Sequence, residues 1–387
     1  MPNLRTRRFD LDWLRIIAFG LLIFYHVGMF YVSWSWHVKS VYVSPAAEPL
    51  MRMVNPWRLA LLFFISGVAS RFATDKAPSL GRLARSRLAR LGLPVLFGVY
   101  VWVMPQAYYQ VRQSGEFAGS MLAFYPDYVK LEQVFSSITP TWNHLWYLVY
   151  VLAYILVTLP LLPWLRRVPR SRFWQSLVSR PIVVAALLIL PFVAVETWLT
   201  PIYPTTHAFV DDWANHAHRF MIFVMGYFVA KDASFWRSVD RTWRIAPVLA
   251  IAAWLFLGSG QPIAQWLRQF LPDTLVRFLF SYVGILYAWA CMLTLLGAAQ
   301  RFLNRDSRLL SYLTSGVFCY YVLHQTIIVV AGYYLTRMKI GPVPEFLVLT
   351  LITIAGCAAG YEALRRIPRL GILMGVRQSS GFRASGR

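Results

Sequence analysis

The residues best suited to chemistry lie on the first apolar segment, DLDWLRIIAFGLLIFYHVGMFYV, residues 10–32. This segment carries Asp12 and Arg15 at one end and His26 near its middle. On an α-helix, Arg15 and His26 are about 16 Å apart along the axis and only about 20° apart around it. Asp12, one turn before Arg15, lies close to the same stripe. One helix face therefore carries a charged pair and, deeper in, an imidazole.

Each of these groups suits a particular reaction. Imidazole can take and return a proton near neutral pH, and the planar fork of an arginine binds phosphate or carboxylate through paired hydrogen bonds. An ionisable side chain inside a bilayer costs at least a few kcal/mol unless it faces protein or water, so a functional role is the default. The alternative is a boundary salt bridge between Asp12 and Arg15 with a hydrogen-bonded core histidine. The alignment favours a functional polar path, and a phosphate-rich cytoplasmic ligand near Arg15 with proton transfer at His26 is one coherent form of it.

A second basic group lies in GRLARSRLARLGLPVLFG, residues 81–98, and comprises Arg82, Arg85, Arg87 and Arg90. Two interpretations stay open, a plain topology signal and a phosphate-binding lip that faces the cytoplasm. His324, in the apolar stretch FCYYVLHQTIIVV, is predicted either to pair with His26 or to bond a backbone carbonyl.

The remaining ionisable and thiol groups point to no further site. Glu196 lies near the end of an apolar run, where its carboxylate can reach water. No spacing typical of a metal site is present, so no metal is predicted. The side chains weighed for metal binding or a disulfide were His207, Asp211, Asp212, His216, His218, Cys291, Cys319 and Cys357.

Composition identifies the class of protein. Of 387 residues, 58% are hydrophobic and 14% are charged, and the mean hydropathy is +0.51. A soluble domain carries about a quarter charged residues, so the composition predicts a polytopic membrane protein. The net charge of +22 is spread over short clusters between apolar runs, which is typical of topology signals. Nucleic-acid binding is not predicted, because no basic domain with interleaved aromatic residues is present.

The apolar runs predict an all-α bundle with about ten transmembrane helices. Seven runs have spanning length and three are shorter. With ten spans and both termini in the cytoplasm, most basic residues fall inside, which agrees with the positive-inside bias. The long runs are 13–33, 91–109, 145–165, 181–200, 275–298, 313–335 and 343–362, and the shorter ones are 57–70, 216–230 and 245–258.

The chain is predicted to form a single domain, 1–376, followed by a disordered cytoplasmic tail, 377–387. The first span lacks a small-residue cleavage site and is predicted to be retained. The predicted outer loops, 34–56, 110–144 and 200–216, are rich in aromatic and polar residues. Loops of this length without obvious elements are often binding loops.

Five motifs in order resemble acyltransferase family 3, a family of membrane enzymes. They are LDWLRIIAFGLLIFYH at 11–26, LFFISGVASRF at 62–72, RSRLARLGLP at 85–94, HLWYL at 144–148 and YYVLHQ at 320–325. The first places an arginine, ten residues and then a histidine at the family's position. Within the family, WHVKS at 36–40 and YEALRRIPRL at 361–370 most resemble the branch concerned with glucan biosynthesis.

The resemblance implies transfer of an acyl group from cytoplasmic acyl-CoA to a hydroxyl of an extracytoplasmic carbohydrate, with O-succinylation of periplasmic glucans as one form. It implies that His26 is catalytic with Arg15 as its partner, and that Arg87 and Arg90 serve the donor. Asp12 and His324 are the further residues predicted for substrate binding. His26 is expected to act either as a base or as a covalent acyl carrier.

The same resemblance implies a multi-pass protein of the bacterial cytoplasmic membrane with no permanently bound cofactor. Its expected partners are acyl-CoA, a glycan acceptor and the lipid bilayer. The rival function is a proton-coupled secondary transporter or flippase, which buried His and Arg also suit. Against it, the hydropathy shows no inverted repeat and the polar residues concentrate in one helix. A receptor or scaffold leaves His26 unexplained.

Overall fold

The computed structural model describes residues 7–376, and in that range the chain is helical and contains no β-strand. This confirms the all-α membrane bundle. The predicted tail 377–387 lies outside the described residues. The α-helices are α1 (Phe9–Met29), α2 (Glu48–Lys76), α3 (Leu80–Arg87), α4 (Leu93–Phe97), α5 (Met104–Gln113), α6 (Met121–Val129), α7 (Trp146–Leu165), α8 (Arg172–Val178), α9 (Leu190–Ala194), α10 (Trp213–Val229), α11 (Ala233–Thr242), α12 (Ala246–Gly258), α13 (Gly260–Leu267), α14 (Asp273–Phe302), α15 (Arg308–Met338), α16 (Pro342–Leu364) and α17 (Pro368–Leu373).

Local sequence signals set several helix ends. The Ser307 side chain caps α15 by accepting from the backbone N–H of Leu310, and Asp232 caps α11 in the same way. Such caps satisfy backbone donors that the helix itself leaves open. Proline at the first position of α16 fits because its missing N–H has no partner there in any case.

Two of the membrane helices are interrupted by wider π-helical turns. The segment 80–113 runs through α3, a π turn at Leu88–Gly92, α4, a second π turn at Gly98–Val103 and α5. The region predicted as span 181–200 contains π turns at Val183–Leu187 and Val195–Leu199 on either side of α9. π turns inside helices are frequent at functional sites.

Seven helical segments in the described range are long and apolar enough to cross a membrane, and two bent pairs raise the number to nine. One bent pair, 172–199 with a 94° bend, includes the predicted span 181–200, and the other, α12 with α13 at 71°, includes 245–258. The tenth expected span, 216–230, is α10, whose 17 residues lie at the lower end of spanning length. The chain is a multi-pass membrane protein. The number ten and the cytoplasmic termini stay predictions.

The chain divides into two compact units. The first comprises the chain through Ala18, Met53–Leu83 and Ala153–Asp306. The second comprises Phe19–Arg52, Ala84–Leu152 and the chain from Ser307 onward. Both α1 and α7 contribute to the two units, and the single domain stays a prediction.

Within the first unit, α2 and α10 touch backbone to backbone. A Cβ added at Gly67 would lie 1.8 Å from the carbonyl oxygen of Phe223, and one at Gly226 would lie 2.1 Å from that of Phe64. Small residues allow such close approach between membrane helices. This contact fixes α2 against α10.

Within the second unit, α15 packs against α16 and α5. The core there is rich in aromatic rings and includes Phe30, Tyr109 and Tyr333 together with the aliphatic Ile328 and Val329. Sixteen of the 31 residues of α15 are buried, and all but one of these lie between Gly316 and Thr336, so this stretch of the helix is largely enclosed by protein. A helix that is buried all round can carry polar groups away from lipid.

Candidate active site

The first candidate, His26, lies in the last turn of α1. The expectation that the helix continues to residue 33 with His26 near its middle is wrong, because α1 ends at Met29. The Lys39 ammonium accounts for the early end. It donates to the carbonyl oxygens of Met29, at 2.7 Å, and Val32, at 2.6 Å, and so satisfies acceptors at the helix end. Burial lowers the pKa of Lys39 to about 8, so it still carries its proton at neutral pH.

His26 nevertheless lies beside the midpoint of another membrane helix. Its Nδ1 is 2.7 Å from Nε2 of His324, which lies near the centre of α15 and is only 1% exposed. The two imidazole rings stack with centroids 5.0 Å apart and planes 12° apart. Of the two alternatives for His324, pairing with His26 or bonding a backbone carbonyl, the structure shows both.

The carbonyl bond decides which nitrogens carry protons. Nδ1 of His324 is 2.7 Å from the carbonyl oxygen of Tyr321, and a carbonyl oxygen only accepts, so this Nδ1 bears a hydrogen. In neutral His324, Nε2 then lacks a proton and accepts from Nδ1–H of His26. It follows that Nε2 is the basic nitrogen of neutral His26. His324 holds His26 in the tautomer that a proton acceptor needs.

A second buried histidine, His144, lies edge-on to His324 with ring centroids 5.2 Å apart. Its Nε2 donates to the carbonyl oxygen of Val322, at 3.1 Å, and its Nδ1 is 3.5 Å from the amide nitrogen of Gln106. Gln106 also donates to Thr326 Oγ1, at 2.7 Å. These contacts give both ring nitrogens of His144 a polar neighbour, and a buried ring nitrogen without a hydrogen-bond partner would be costly.

The network extends to a third histidine, His37, in the segment 30–44 that follows α1. Nδ1 of His37 donates to Gln110 Oε1 at 2.6 Å, and Nε2 accepts from Gln325 at 2.9 Å. Gln325 in turn donates to Gln106 Oε1 at 3.0 Å. Burial lowers the pKa of His37, and the hydrogen bond to Gln110 offsets only part of this effect. His37 is therefore neutral, as its bonds require.

The segment 30–44 is irregular and begins at the level of the middle of α15. It contacts Gln325 there through His37, and near the carboxyl end of α15 the backbone N–H of Val41 donates to Thr336. Irregular backbone at membrane depth is tolerated only where it is buried in protein or lines a water-filled space. Trp36, on the same segment, has its ring 6.4 Å from that of His26 with planes 24° apart. Trp36 therefore places an aromatic ring from this segment beside the imidazole of His26.

The charged pair on α1 forms as predicted. Arg15 donates to Asp12 at 3.1 Å, and Arg7 donates to the other carboxylate oxygen at 2.9 Å. This part of α1 belongs to the first unit, whereas His26 and the histidine network belong to the second. Arg87 ends α3 and Arg90 lies in the following π turn, both half-buried, in the second unit.

Within the predicted outer loop 110–144, the Glu116 carboxylate accepts three hydrogen bonds. Glu116 accepts from the backbone N–H of Ser136 at 2.8 Å and from the hydroxyls of Ser136 and Ser114, each at 2.7 Å. These bonds, the backbone one first, keep the pKa of Glu116 below its usual value. The loop is therefore closed on itself between residues 114 and 136.

Sequence reasoning missed four members of the network: His37, Gln106, His144 and Gln325. Three of them lie inside quoted motifs, His37 in WHVKS, His144 in HLWYL and Gln325 in YYVLHQ. The available signal was their polar character beside apolar stretches. Among these four, the nearest bonded pair, Gln106 and His144, is 38 residues apart and the farthest, His37 and Gln325, is 288 residues apart, so no local pattern links them.

Comparison of the sequence with known proteins places the chain in a family. The sequence profile of a family described as acyltransferase domain matches residues 8–362. Proteins named glucans biosynthesis protein C from Salmonella agona (strain SL483), Salmonella paratyphi A (strain ATCC 9150 / SARB42) and Salmonella enteritidis PT4 (strain P125109) are each 22% identical over 385 residues, covering 95% of this chain and 94% of the relative. No solved structure matches the chain.

Proposed function

The chain belongs to the acyltransferase domain family, and on this premise we propose that it moves an acyl group from cytoplasmic acyl-CoA to a hydroxyl of an extracytoplasmic glycan. Membrane O-acyltransferase activity follows from the family and from the names of the relatives. The donor, the acceptor and the residues that serve them are the content of the proposal.

One observation carries the assignment of the catalytic residue. The neighbouring His324 accepts a hydrogen bond from Nδ1–H of His26. This bond fixes the His26 proton on Nδ1 and leaves its Nε2 as the basic nitrogen. The arrangement resembles the base and orienting group of other acyl-transfer enzymes, in which the orienting group holds the tautomer of the base. His324 is the positioning residue in this pair.

The proposed step balances as follows. Nε2 of His26 takes the proton of the acceptor hydroxyl while that oxygen bonds to the thioester carbonyl carbon. The carbon–sulfur bond then breaks, and the thiolate of CoA receives the proton from His26. The ester and free CoA are the products, and His26 returns to its starting state. Proton transfer by a positioned side chain is worth roughly 10²- to 10⁴-fold in rate.

The donor side is assigned to arginines. A CoA ester carries several phosphate charges and cannot enter hydrocarbon, and arginine forms paired charge-assisted bonds to phosphate. Arg87 and Arg90 supply such charge in the second unit, and Arg15, oriented by Asp12 at 3.1 Å, supplies it on α1. The long pantetheine arm of CoA would reach toward His26.

The acceptor side is assigned to the segment 30–44. Trp34 and Trp36 are half-buried on this segment, and aromatic faces with a polar edge suit sugar rings. The relatives are named for glucan biosynthesis, which supports a glucan acceptor. Succinyl is the acyl group that the resemblance to the glucan branch implies. A glucan outside the cytoplasm implies the bacterial cytoplasmic membrane as location.

The test is transfer by the purified protein in proteoliposomes, with succinyl-CoA, acetyl-CoA or no donor, and with a short glucan or a non-carbohydrate alcohol. We expect ester formation only with acyl-CoA and glucan together. For substitution of His26, His216→Gln is a matched control, because His216 is also half-buried and is hydrogen-bonded to the Tyr154 hydroxyl at 3.0 Å. Ester formation without acyl-CoA, or none with any carbohydrate, would overturn the proposal.

A further inference from the structure

The first unit contains a partly open cavity between α2, α10, α14 and the region around α9, with about 480 Å³ of empty space that includes the part open to solvent. Ten of its twelve lining residues are apolar, among them Phe192, Ile222, Ala288 and Trp289. The indole N–H of Trp289 donates to the carbonyl oxygen of Val184 at 2.7 Å, so this residue presents only its apolar ring. Mostly apolar walls with a few polar groups are typical of small-molecule sites.

The two polar lining residues are His218 and Arg219, and only His218 forms an ion pair. His218 bonds Glu196 at 3.1 Å and stacks on Phe192. Arg219 donates through Nε to Asn215 at 3.0 Å. Within residues 7–376 its two terminal nitrogens donate to no acceptor, and it forms no ion pair.

The neighbouring charges do not supply the missing partner. Arg58 repels Arg219, whereas Asp212 and Glu196 attract it from beyond ion-pair distance. Asp212 accepts instead from Asn215 and from backbone N–H groups of residues 206 and 207. An arginine inside a membrane protein with unfilled donors marks a ligand site by default, and a guanidinium fork matches phosphate.

The position of Arg219 suits a lipid head group. It lies six residues after Trp213, the first residue of α10, which is about 9 Å along the helix. Trp213 and Trp198 are both more than half exposed, and exposed tryptophans gather at the membrane interface. A long arginine side chain near a helix end reaches toward that level. The apolar walls of the cavity extend from there along α14.

We propose that this cavity is a binding site for an anionic phospholipid, with one hydrocarbon chain inside and the phosphate bonded to the terminal nitrogens of Arg219. The site uses none of the residues of the proposed active site. It goes beyond the proposed acyl transfer, and either can fail without the other.

The test is native mass spectrometry of the full-length protein after exchange into phosphatidylglycerol or phosphatidylcholine with identical chains. We expect one retained phosphatidylglycerol molecule per protein and a preference over phosphatidylcholine of roughly ten-fold or more. A preference of this size is what charge-assisted hydrogen bonds to the lipid phosphate contribute to affinity. Arg219→Gln should abolish this preference. Arg277→Gln removes an exposed arginine that is paired with Asp273 and should leave it unchanged.

Two further variants keep the test decisive if Arg219→Gln does not fold. Arg219→Lys keeps the charge and should retain a preference for the anionic lipid, and Ala288→Phe fills the cavity and should reduce retention of both lipids. Equal retention of the two lipids by the wild-type protein would overturn the proposal, as would an unchanged preference in Arg219→Gln or full retention in Ala288→Phe. Displacement of phosphatidylglycerol by palmitate at equal concentration would show a fatty-acid site instead.

Discussion

Replacing His324 by alanine tests the role of the positioning residue. The change removes the acceptor, 2.7 Å away, that fixes the proton of His26 on Nδ1. It leaves His26 itself in place. We therefore expect a defect in the rate of acyl transfer and little change in the affinity for acyl-CoA.

The size of the defect follows from the single bond that is lost. A neutral hydrogen bond contributes about 0.5–1.5 kcal/mol net, and about 1.36 kcal/mol corresponds to ten-fold in rate. His324→Ala should therefore lower kcat roughly two- to thirteen-fold. His26→Ala should lower it about 10²- to 10⁴-fold, because it removes the base itself.

The assay is single-turnover acyl transfer by four proteins, the wild type, both single variants and the double variant. Residues that act as one unit are not additive, so the double variant should be no slower than His26→Ala. His324→Gln should recover most of the lost rate, because a glutamine oxygen can accept the same hydrogen bond. Rescue by glutamine separates positioning from simple loss of packing.

Two outcomes would refute the reasoning. A loss in His324→Ala as large as that in His26→Ala would mean that His324 itself handles the proton or the substrate. An unchanged rate in His324→Ala would mean that the hydrogen bond to His26 has no part in the reaction.

The remaining predictions concern the donor, the membrane topology and the outer loop. Arg15→Ala and the pair Arg87→Ala/Arg90→Ala should each weaken acyl-CoA binding about ten- to a hundred-fold, the worth of charge-assisted bonds, without changing acceptor preference; unchanged calorimetric affinity in all of them would leave these arginines as topology signals. Tags inserted beside Glu116 and Asp211 should report outside and a tag at the carboxyl terminus cytoplasmic, and a cytoplasmic signal at Asp211 would mean that an earlier weak span does not cross. Hydrogen bonds from Ser136 and Ser114 lower the pKa of Glu116. The ionised carboxylate therefore stabilises the loop at pH values above the usual carboxyl pKa, and this stabilisation is lost as the pH falls through the lowered pKa of Glu116. Hydrogen exchange in the loop should rise over that pH range, and Glu116→Gln should raise it already at neutral pH. Equal exchange in the wild type and in Glu116→Gln, at neutral and at acidic pH, would contradict this.

The fold was largely predictable because a bilayer leaves few options. Apolar runs long enough to span must be helical, and α1, α7, α14, α15 and α16 follow the predicted runs within a few residues at most of their ends. What failed was the detail that depends on tertiary contacts. The helix α1 ends early because Lys39 donates to two backbone carbonyl oxygens. Residues 30–33 are apolar enough to continue a spanning helix, so the sequence does not predict this end.

The site was predictable only in part, for a similar physical reason. Arg15 and His26 share a helix, so their spacing alone places them on one stripe. His324 is an isolated histidine in an apolar run, which is informative in a membrane. The pairing of His37 with Gln325, 288 residues apart, arises from packing of the segment 30–44 against α15. A single sequence contains no period or spacing that encodes such a contact.

The measurement that tests the central claim most directly is acyl transfer from acyl-CoA to glucan by purified wild-type protein and by His26→Ala, with acyl-CoA affinity measured on the same samples. We expect a loss of at least about a hundred-fold in the transfer rate with donor affinity largely retained. Residual transfer above about a tenth of the wild-type rate in a folded His26→Ala variant would contradict the assignment of His26 as the catalytic base.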